Sequence, residues 1–243
     1  MKKTYLESAR IYDSIISKSK IYLIGDKLLL NLVRKECNGR TSIYEPGCGT
    51  GLITEELAKI PNTKVICSDP SKELINGARK RLKKYKNLKI IEKSAVDLEV
   101  GSVDLIVMRY VYHHIQDSEK YKFVKTMYSN LKKNGKIIVL DEFLPFYLGS
   151  SWWKRSLIMY HDKKSGIALK LNDNLTAECE QESKKLGLAK KDEFKVKFEI
   201  FKKQLKKAGF LNIKRILIKH PKLKNSKSLG MYMVIGEKWM KMS

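Results

Sequence analysis

The chain has 243 residues, 43% hydrophobic and 31% charged, a balance that excludes a disordered polymer and fits one sizeable domain or a domain with a large insertion. No apolar run approaches the ~18 residues of a membrane span, so no membrane association is expected. The 50 Lys and Arg against 26 Asp and Glu leave a formal charge of +24, which raises nucleic acid as a partner. That excess is mostly Lys spread from end to end, and the arginines are scattered; a solvated basic surface is the preferred reading. The opening MKKTYLESARIYDSIISKSK is basic, but Glu7 and Asp13 interrupt it and no long apolar core follows. It does not read as a signal peptide, and a cytoplasmic location is expected. Cys37, Cys48, Cys67 and Cys179 form no CxxC pair and have no His at ligand spacing. Neither disulfides nor a metal site are expected.

In chain order, residues 4–36 read as two helices broken near Ile24–Gly25, the second carrying an apolar face of Leu28, Leu29, Leu30, Leu32 and Val33. From Ser42 onward short β-rich runs alternate with helical ones. The runs SIYE (42–45), KVICS (64–68), LKIIE (88–92), VDLIVM (103–108) and KIIVLDEF (136–143) predict strands. The stretches 51–59, 71–85 and 117–132 between them predict helices, with Ser71 as an N-cap, Glu73 in the first turn, and Asn134-Gly135 as the turn into the fifth strand. This alternation implies a parallel sheet with helices on both faces. Residues 144–196 hold Trp152, Trp153, Tyr160 and His161 and predict two helices and no strand. An amphipathic helix FEIFKKQLKKAGF ends at Gly209, and the strands 211–219 and 229–239 read as a long-looped antiparallel pair.

The loop EPGCGTG, between the first strand and its helix, places Gly47, Gly49 and Gly51 at every second position. Such a turn brings backbone N–H groups close to a ligand. It is not the Gly-x-Gly-x-x-Gly dinucleotide fingerprint, since position 52 is Leu, and no Gly-Lys-Ser/Thr follows for a phosphate loop. Glu45, before the loop, would repel a pyrophosphate and suits a ligand carrying an ammonium group. Cys48 reads either as a reactive thiol or as a small residue contributing its backbone; the Glu45 context favours the second.

EPGCGTG resembles the first motif of class I S-adenosylmethionine-dependent methyltransferases, and the resemblance continues in register over about 42–143. It implies a Rossmann-like seven-stranded mixed sheet with the last strand antiparallel, and S-adenosylmethionine as cofactor. Asp69, with Pro70 after it, stands where the family holds both ribose hydroxyls, a task that suits a two-oxygen acceptor. SAVDL places Ser94, Ala95 and Val96 at the adenine-facing turn. Ser94 replaces the family's Asp, and either Ser94 or Asp97 would take the adenine amino group. Arg109 and Tyr110 occupy positions whose backbone lies against the methionine part. The implied organisation is one domain: an N-terminal helical lid over 1–37 that offers Tyr12 to the cofactor, a cofactor-binding core of 42–143 and 197–243, and a helical substrate cap over 144–196.

Methyl transfer from a sulfonium is an in-line displacement, for which near-attack positioning can supply roughly 7–11 kcal/mol. A general base adds roughly 10²–10⁴-fold where the acceptor must lose a proton. His113, His114, Glu142, Tyr160 and His161 are the candidates. Neighbours in a turn are expected to point different ways, so only one of His113 and His114 should face the acceptor. The preferred acceptor is an N or O atom of a small molecule, with secondary metabolism as a setting. RNA or a protein is the alternative, although MRYVYHH after the fourth strand lacks the Asn/Asp-Pro-Pro-aromatic motif of RNA base enzymes of this fold. A non-enzymatic cofactor-binding subunit is disfavoured by the intact Glu45 and Asp69.

Overall fold

The computed structural model describes residues 15, 17–144, 150–219 and 230–239. Its elements, in chain order, are α1 (Tyr22–Glu36), β1 (Thr41–Pro46), α2 (Leu52–Ala58), β2 (Thr63–Asp69), α3 (Lys72–Leu82), β3 (Leu88–Glu92) and β4 (Val103–Arg109). A 3-10 turn (Tyr112–His114) follows, then α4 (Lys120–Ser129), β5 (Leu131–Glu142), α5 (Ser150–Lys170), α6 (Asn174–Leu188), α7 (Phe198–Ala208), β6 (Leu211–Leu217) and β7 (Met231–Glu237). The strands form one seven-stranded sheet in the order β3-β2-β1-β4-β5-β7-β6. Its first five strands are parallel, and β7 runs antiparallel to both β5 and β6. The sheet is the one expected, including its antiparallel last strand.

The period-two alternation of the central strands builds a core on each face. Leu105 and Val107 of β4, with Ile138 and Leu140 of β5, pack with Leu29 and Val33 of α1 and Leu57 of α2. Ile106, Met108, Ile137 and Val139 point the other way, into Phe123 and Met127 of α4 and Phe201 and Leu205 of α7. Side chains buried on both faces explain why β1, β4 and the second half of β5 read as nearly continuous apolar runs. The Ser71 cap is present, its Oγ accepting from Leu74 N at 3.3 Å. Gly209 ends α7 in the left-handed conformation.

Two local expectations are corrected. The helix does not break at Ile24–Gly25: α1 runs through both, starting after a break at Ser19–Lys20. Gly25 is a close approach rather than a breaker, since a Cβ there would stand 2.8 Å from Leu140 Cδ2 and 3.2 Å from the Tyr110 hydroxyl. The predicted turn at Asn134-Gly135 is absorbed into β5. Asn134 takes φ +61° there, and the β4 register shifts between the Val103 and Leu105 pairings. Residues 131–133 therefore join the strand instead of ending a helix, and α4 stops at Ser129. The helix predicted over 117–132 is correspondingly shorter. The helices predicted in 144–196 are α5 and α6. No helix among the described residues is long and apolar enough to cross a membrane.

Candidate functional site

The carboxyl ends of β1, β2, β4 and β5 converge, the place where open α/β sheets take ligands. At β1, Gly47, Gly49 and Gly51 adopt φ of +67°, +55° and +82°, so the loop needs glycine at each of the three positions for its backbone shape. At Gly47 a Cβ would in addition lie 2.7 Å from Val111 Cγ2. Cys48 is buried, and its N–H donates to the Ser68 carbonyl at 3.0 Å. Its hydrogen bond with Cys67, together with burial, pushes the thiol well above its usual range. It is an inert loop residue, not a reactive thiolate.

Two carboxylates flank this loop. Asp69, at the end of β2, accepts from Gly49 N through Oδ2 at 3.0 Å and from Ser71 N through Oδ1 at 2.9 Å. The bonds fix the carboxylate against the loop while leaving each oxygen a further acceptor site. Burial raises its pKa, partly offset by those two N–H groups and by His114. Glu45 is buried at the end of β1, and Thr54 Oγ1 donates to its Oε2 at 2.6 Å. Burial pushes Glu45 up to about 8, against the opposing Thr54 hydroxyl and Arg109 charge. The Arg109 side chain makes a fork with Asp26 of α1, Nε to Oδ1 at 2.6 Å and the second nitrogen to Oδ2 at 2.8 Å. Tyr110 takes φ +55° and packs edge-on against Tyr22, ring centres 5.0 Å apart.

The turn after β3 brings Ala95 and Val96 into the interior and leaves Ser94 half-buried, its Oγ accepting from Val96 N at 3.3 Å. Asp97 is exposed and paired with Lys122 at 3.2 Å. Pro70 is exposed. Tyr12 lies outside the described residues.

Past β4, three groups hold the 3-10 turn from different sides. Asp141 of β5 accepts the N–H groups of Val111 (3.0 Å) and Tyr112 (2.7 Å). Lys120 donates to the carbonyls of Tyr112 (2.9 Å) and Ile115 (2.5 Å), and Phe194 N–H to that of His113 (2.7 Å). His113 is buried with Nδ1 2.6 Å from Asp141 Oδ1. The other Asp141 contacts are all donors, so His113 Nδ1 carries the proton and Nε2 the lone pair. Burial, then the charges of His114 and Lys195, hold His113 well below its usual pKa. His114, half-buried, bonds Asp192 O through Nδ1 at 2.5 Å. The two rings do not diverge as expected: their centres are 4.0 Å apart, because each Nδ1 is tied to an anchor beside the same turn.

Beneath α5 and α6 lies a buried charged network. Glu142, the last residue of β5, pairs with Lys164 of α5 and, at 3.3 Å, with Lys195. Lys164 also bonds Glu180 of α6 and the Tyr22 hydroxyl, each at 2.8 Å, and the Tyr22 hydroxyl donates to Glu180 Oε1 at 2.8 Å. His161 Nδ1 stands 2.9 Å from Glu180 Oε2, and Lys195 pairs with Glu193. Burial would raise the Glu142 pKa, but Lys164 and Lys195 outweigh it and hold it low. The same balance holds Glu180 low, through Lys164 and His161. Both lysines stay charged, because their carboxylate partners overcome the burial that would lower them. Two atoms at this network are buried with no hydrogen-bond partner among the described residues, Tyr110 Oη and His161 Nε2, while the Tyr160 hydroxyl faces the Glu142 carboxylate.

Sequence reading missed Asp26, Thr54, Lys120, Asp141, Lys164, Glu180, Glu193 and Lys195. One signal was available for part of this set. Leu157, Tyr160, His161, Lys164 and Ala168 share one helical stripe, and all are buried. A groove of about 980 Å³ at the other end of the sheet, lined in part by Arg40, Lys64, Lys86, Lys89 and Lys132, contains none of the candidate residues.

Residues 43–135 match the family model described as "Methyltransferase domain". Among curated proteins, the chain is 31% identical over 141 residues to an uncharacterized methyltransferase of Bacillus mycoides (strain KBAB4), covering 56% of this chain and 64% of that protein. It is 25% identical over 137 residues to the carboxy-S-adenosyl-L-methionine synthase of Campylobacter fetus subsp. fetus (strain 82-40), covering 55% of this chain and 58% of that one. The match thus spans less than two thirds of either relative. Among solved structures, the N-methyltransferase NodS from Bradyrhizobium japonicum WM9, in complex with S-adenosyl-L-homocysteine, superposes with a TM-score of 0.63 at 14% identity, over 92% of this chain and 90% of that one.

Proposed function

We propose, from the match of residues 43–135 to a methyltransferase-domain model and the likeness of the whole fold to a methyltransferase structure, that the chain transfers a methyl group from S-adenosylmethionine to an N or O atom of a small molecule. One observation carries the acceptor class. The unpartnered Tyr110 Oη and His161 Nε2 lie in a buried polar interior between the carboxyl ends of β4 and β5 and the helices α5 and α6. Buried polar atoms are seldom left without partners, and a small polar acceptor entering under α5 would supply them. A polynucleotide or folded protein would need an open surface instead. The charged interior favours a polar acceptor over a hydrocarbon one.

On this reading the chain's own groups divide the work. Asp69, oriented by Gly49 and Ser71 N–H groups, receives the ribose hydroxyls, and the Gly47–Gly51 backbone packs under the nucleoside. Glu45 meets the amino group of the methionine part. Ala95 and Val96 line the adenine, and Arg109 and Tyr110 wall the methionine side, with Arg109 locked by Asp26. S-Adenosylmethionine, when bound, supplies an electrophilic methyl on a positively charged sulfur. His161 takes the acceptor's proton at Nε2, its Nδ1–H held by Glu180; His113, paired with Asp141, is a second carboxylate–imidazole dyad at the same face. Glu142 is compensated by two internal ammonium groups and acts as their counter-ion.

The test has two arms. Calorimetry with S-adenosylmethionine should show binding to the wild type that is lost in Asp69→Ala; unchanged affinity would sink the ribose assignment. Binding to total tRNA should be weak across a salt series. Sub-micromolar affinity with a steep salt slope would replace the small acceptor with RNA.

A further inference from the structure

His113, His114 and Glu193 each place a ligand atom within 4.8 Å of those of the other two. We propose that these three residues form a binding site for a divalent first-row transition metal ion. The inference goes beyond the methyl-transfer reading and does not rest on it.

Three features of the geometry support a built site. Each imidazole is anchored through Nδ1, His113 on the Asp141 carboxylate and His114 on the Asp192 carbonyl. That is the outer support metal-binding histidines need, and it leaves both Nε2 lone pairs available. The third donor, Glu193, is buried. Its Lys195 partner has Glu142 as a second carboxylate at 3.3 Å, so an ion can take Glu193 without stranding the ammonium. Finally, both carriers are fixed: Asp141, Lys120 and Phe194 hold the turn, and Phe194 N–H ties the Glu193 segment to the His113 carbonyl. Tetrahedral ligands at about 2.0–2.1 Å stand about 3.4 Å apart. The set therefore has to close by at most about 1.4 Å, within reach of side-chain rotation at Glu193.

Two imidazoles and one carboxylate with open positions suit Zn²⁺ or Fe²⁺ and not Mg²⁺ or Ca²⁺, which prefer all-oxygen shells. Where the methyl-transfer reading also holds, such an ion would supply a Lewis acid able to polarise an acceptor oxygen or nitrogen. The cysteine-based search of the sequence could not find this set, because its members come from one turn and a residue about 80 positions downstream.

Metal-free full-length protein is titrated with Zn²⁺ by chelator-competition calorimetry, and separately with Co²⁺ to read its visible bands. One equivalent should bind with micromolar or tighter affinity, and Co²⁺ should show the intense bands of a four- or five-coordinate site. His114→Ala and Glu193→Gln should each weaken Zn²⁺ binding by at least tenfold, with circular dichroism confirming their fold. His114 is half-buried and its removal is the gentler change. Failure of the wild type to bind one equivalent, or binding that His114→Ala leaves unaltered, overturns the proposal. S-Adenosylmethionine binding, measured on the same samples, reports the cofactor site independently.

Discussion

The two halves proposed for this site, one for the cofactor and one for the acceptor, are built on opposite principles. The cofactor half, from β1 to the turn after β3, is made of backbone: left-handed glycines, N–H groups aimed at Asp69, and a chain reversal over Ala95 and Val96. The acceptor half, from the turn after β4 to α6, is made of long side chains that reach one another from far apart in the chain, such as Tyr22 to Glu180 and Lys164 to Glu142. A backbone site must be encoded locally, since glycine is the residue that reaches these φ values without strain and a strand end aims the N–H groups. A side-chain site needs no local signature. The difference predicts unequal responses to substitution: changes in the acceptor half should cost stability, and changes in the cofactor half should cost binding.

The largest effect is expected at Lys164. Replacing it with Met removes the shared cation of two fully buried carboxylates, Glu142 and Glu180. Stranding buried charge in this way costs about 3–5 kcal/mol, and the melting temperature should fall accordingly. The exposed Lys122–Asp97 pair is the control, since Lys122→Met should change stability by at most about 1 kcal/mol. If Lys164→Met melts like Lys122→Met, the network is not ionised as described and the contrast between the halves fails.

The same contrast explains what was legible in the sequence. The strand–helix alternation, the Ser71 cap and the loop were readable because each rests on a short pattern: alternation, a capping residue, or glycines at fixed spacing; the antiparallel last strand followed from the resemblance that the loop carries. The continuous helix through Gly25 was not, because a glycine that permits a close approach to Leu140 looks the same as one that ends a helix. Lys164, Glu180 and Lys195 were lost for a related reason. In a chain with 50 Lys and Arg, a charged residue reads as surface, and Lys and Glu are rarely buried. Only the helical stripe from Leu157 to Ala168 marks two of the buried polar side chains, His161 and Lys164, as facing inward. Asp141 lay inside the predicted fifth strand, but three of its four acceptor contacts depend on the turn docking against it.

A second, intermediate effect tests the cofactor half at Glu45, by pH. The usual value is 4.5, and burial raises it to about 8 in the folded chain. The protonated form is thus the one that the unliganded fold prefers. Its contribution to stability is full below about pH 4.5 and is lost as pH rises through about 8. A ligand ammonium needs the carboxylate ionised, so cofactor binding below pH 8 should release a proton from Glu45. Between pH 6 and 8 the affinity should rise by up to about tenfold per pH unit. Calorimetry in buffers of different ionisation enthalpy measures the proton count directly, and Glu45→Gln should reduce it to zero. Affinity that is flat with pH would mean that the ammonium is held elsewhere.

The smallest effect separates two roles for Ser94. As the acceptor of the adenine amino group, its hydroxyl would contribute about 0.5–1.5 kcal/mol, or roughly 2- to 13-fold in affinity. The structure gives that oxygen another occupation, closing its own turn on Val96 N–H at 3.3 Å, while the turn is also held from outside by Thr126 donating to Val96 O at 2.8 Å and Asn130 donating to Leu98 O at 2.9 Å. Asp97, the other candidate, is turned to solvent and Lys122. On the proposed reading, adenine recognition would then rest on the backbone and apolar walls of Ala95 and Val96, in keeping with the rest of the cofactor half. Ser94→Ala should therefore change S-adenosylmethionine affinity by less than threefold, with no selective loss for the adenosine ligand over an inosine analogue. A tenfold loss confined to the adenine form would return the amino contact to Ser94, and would give this half of the site one side chain that chooses the base.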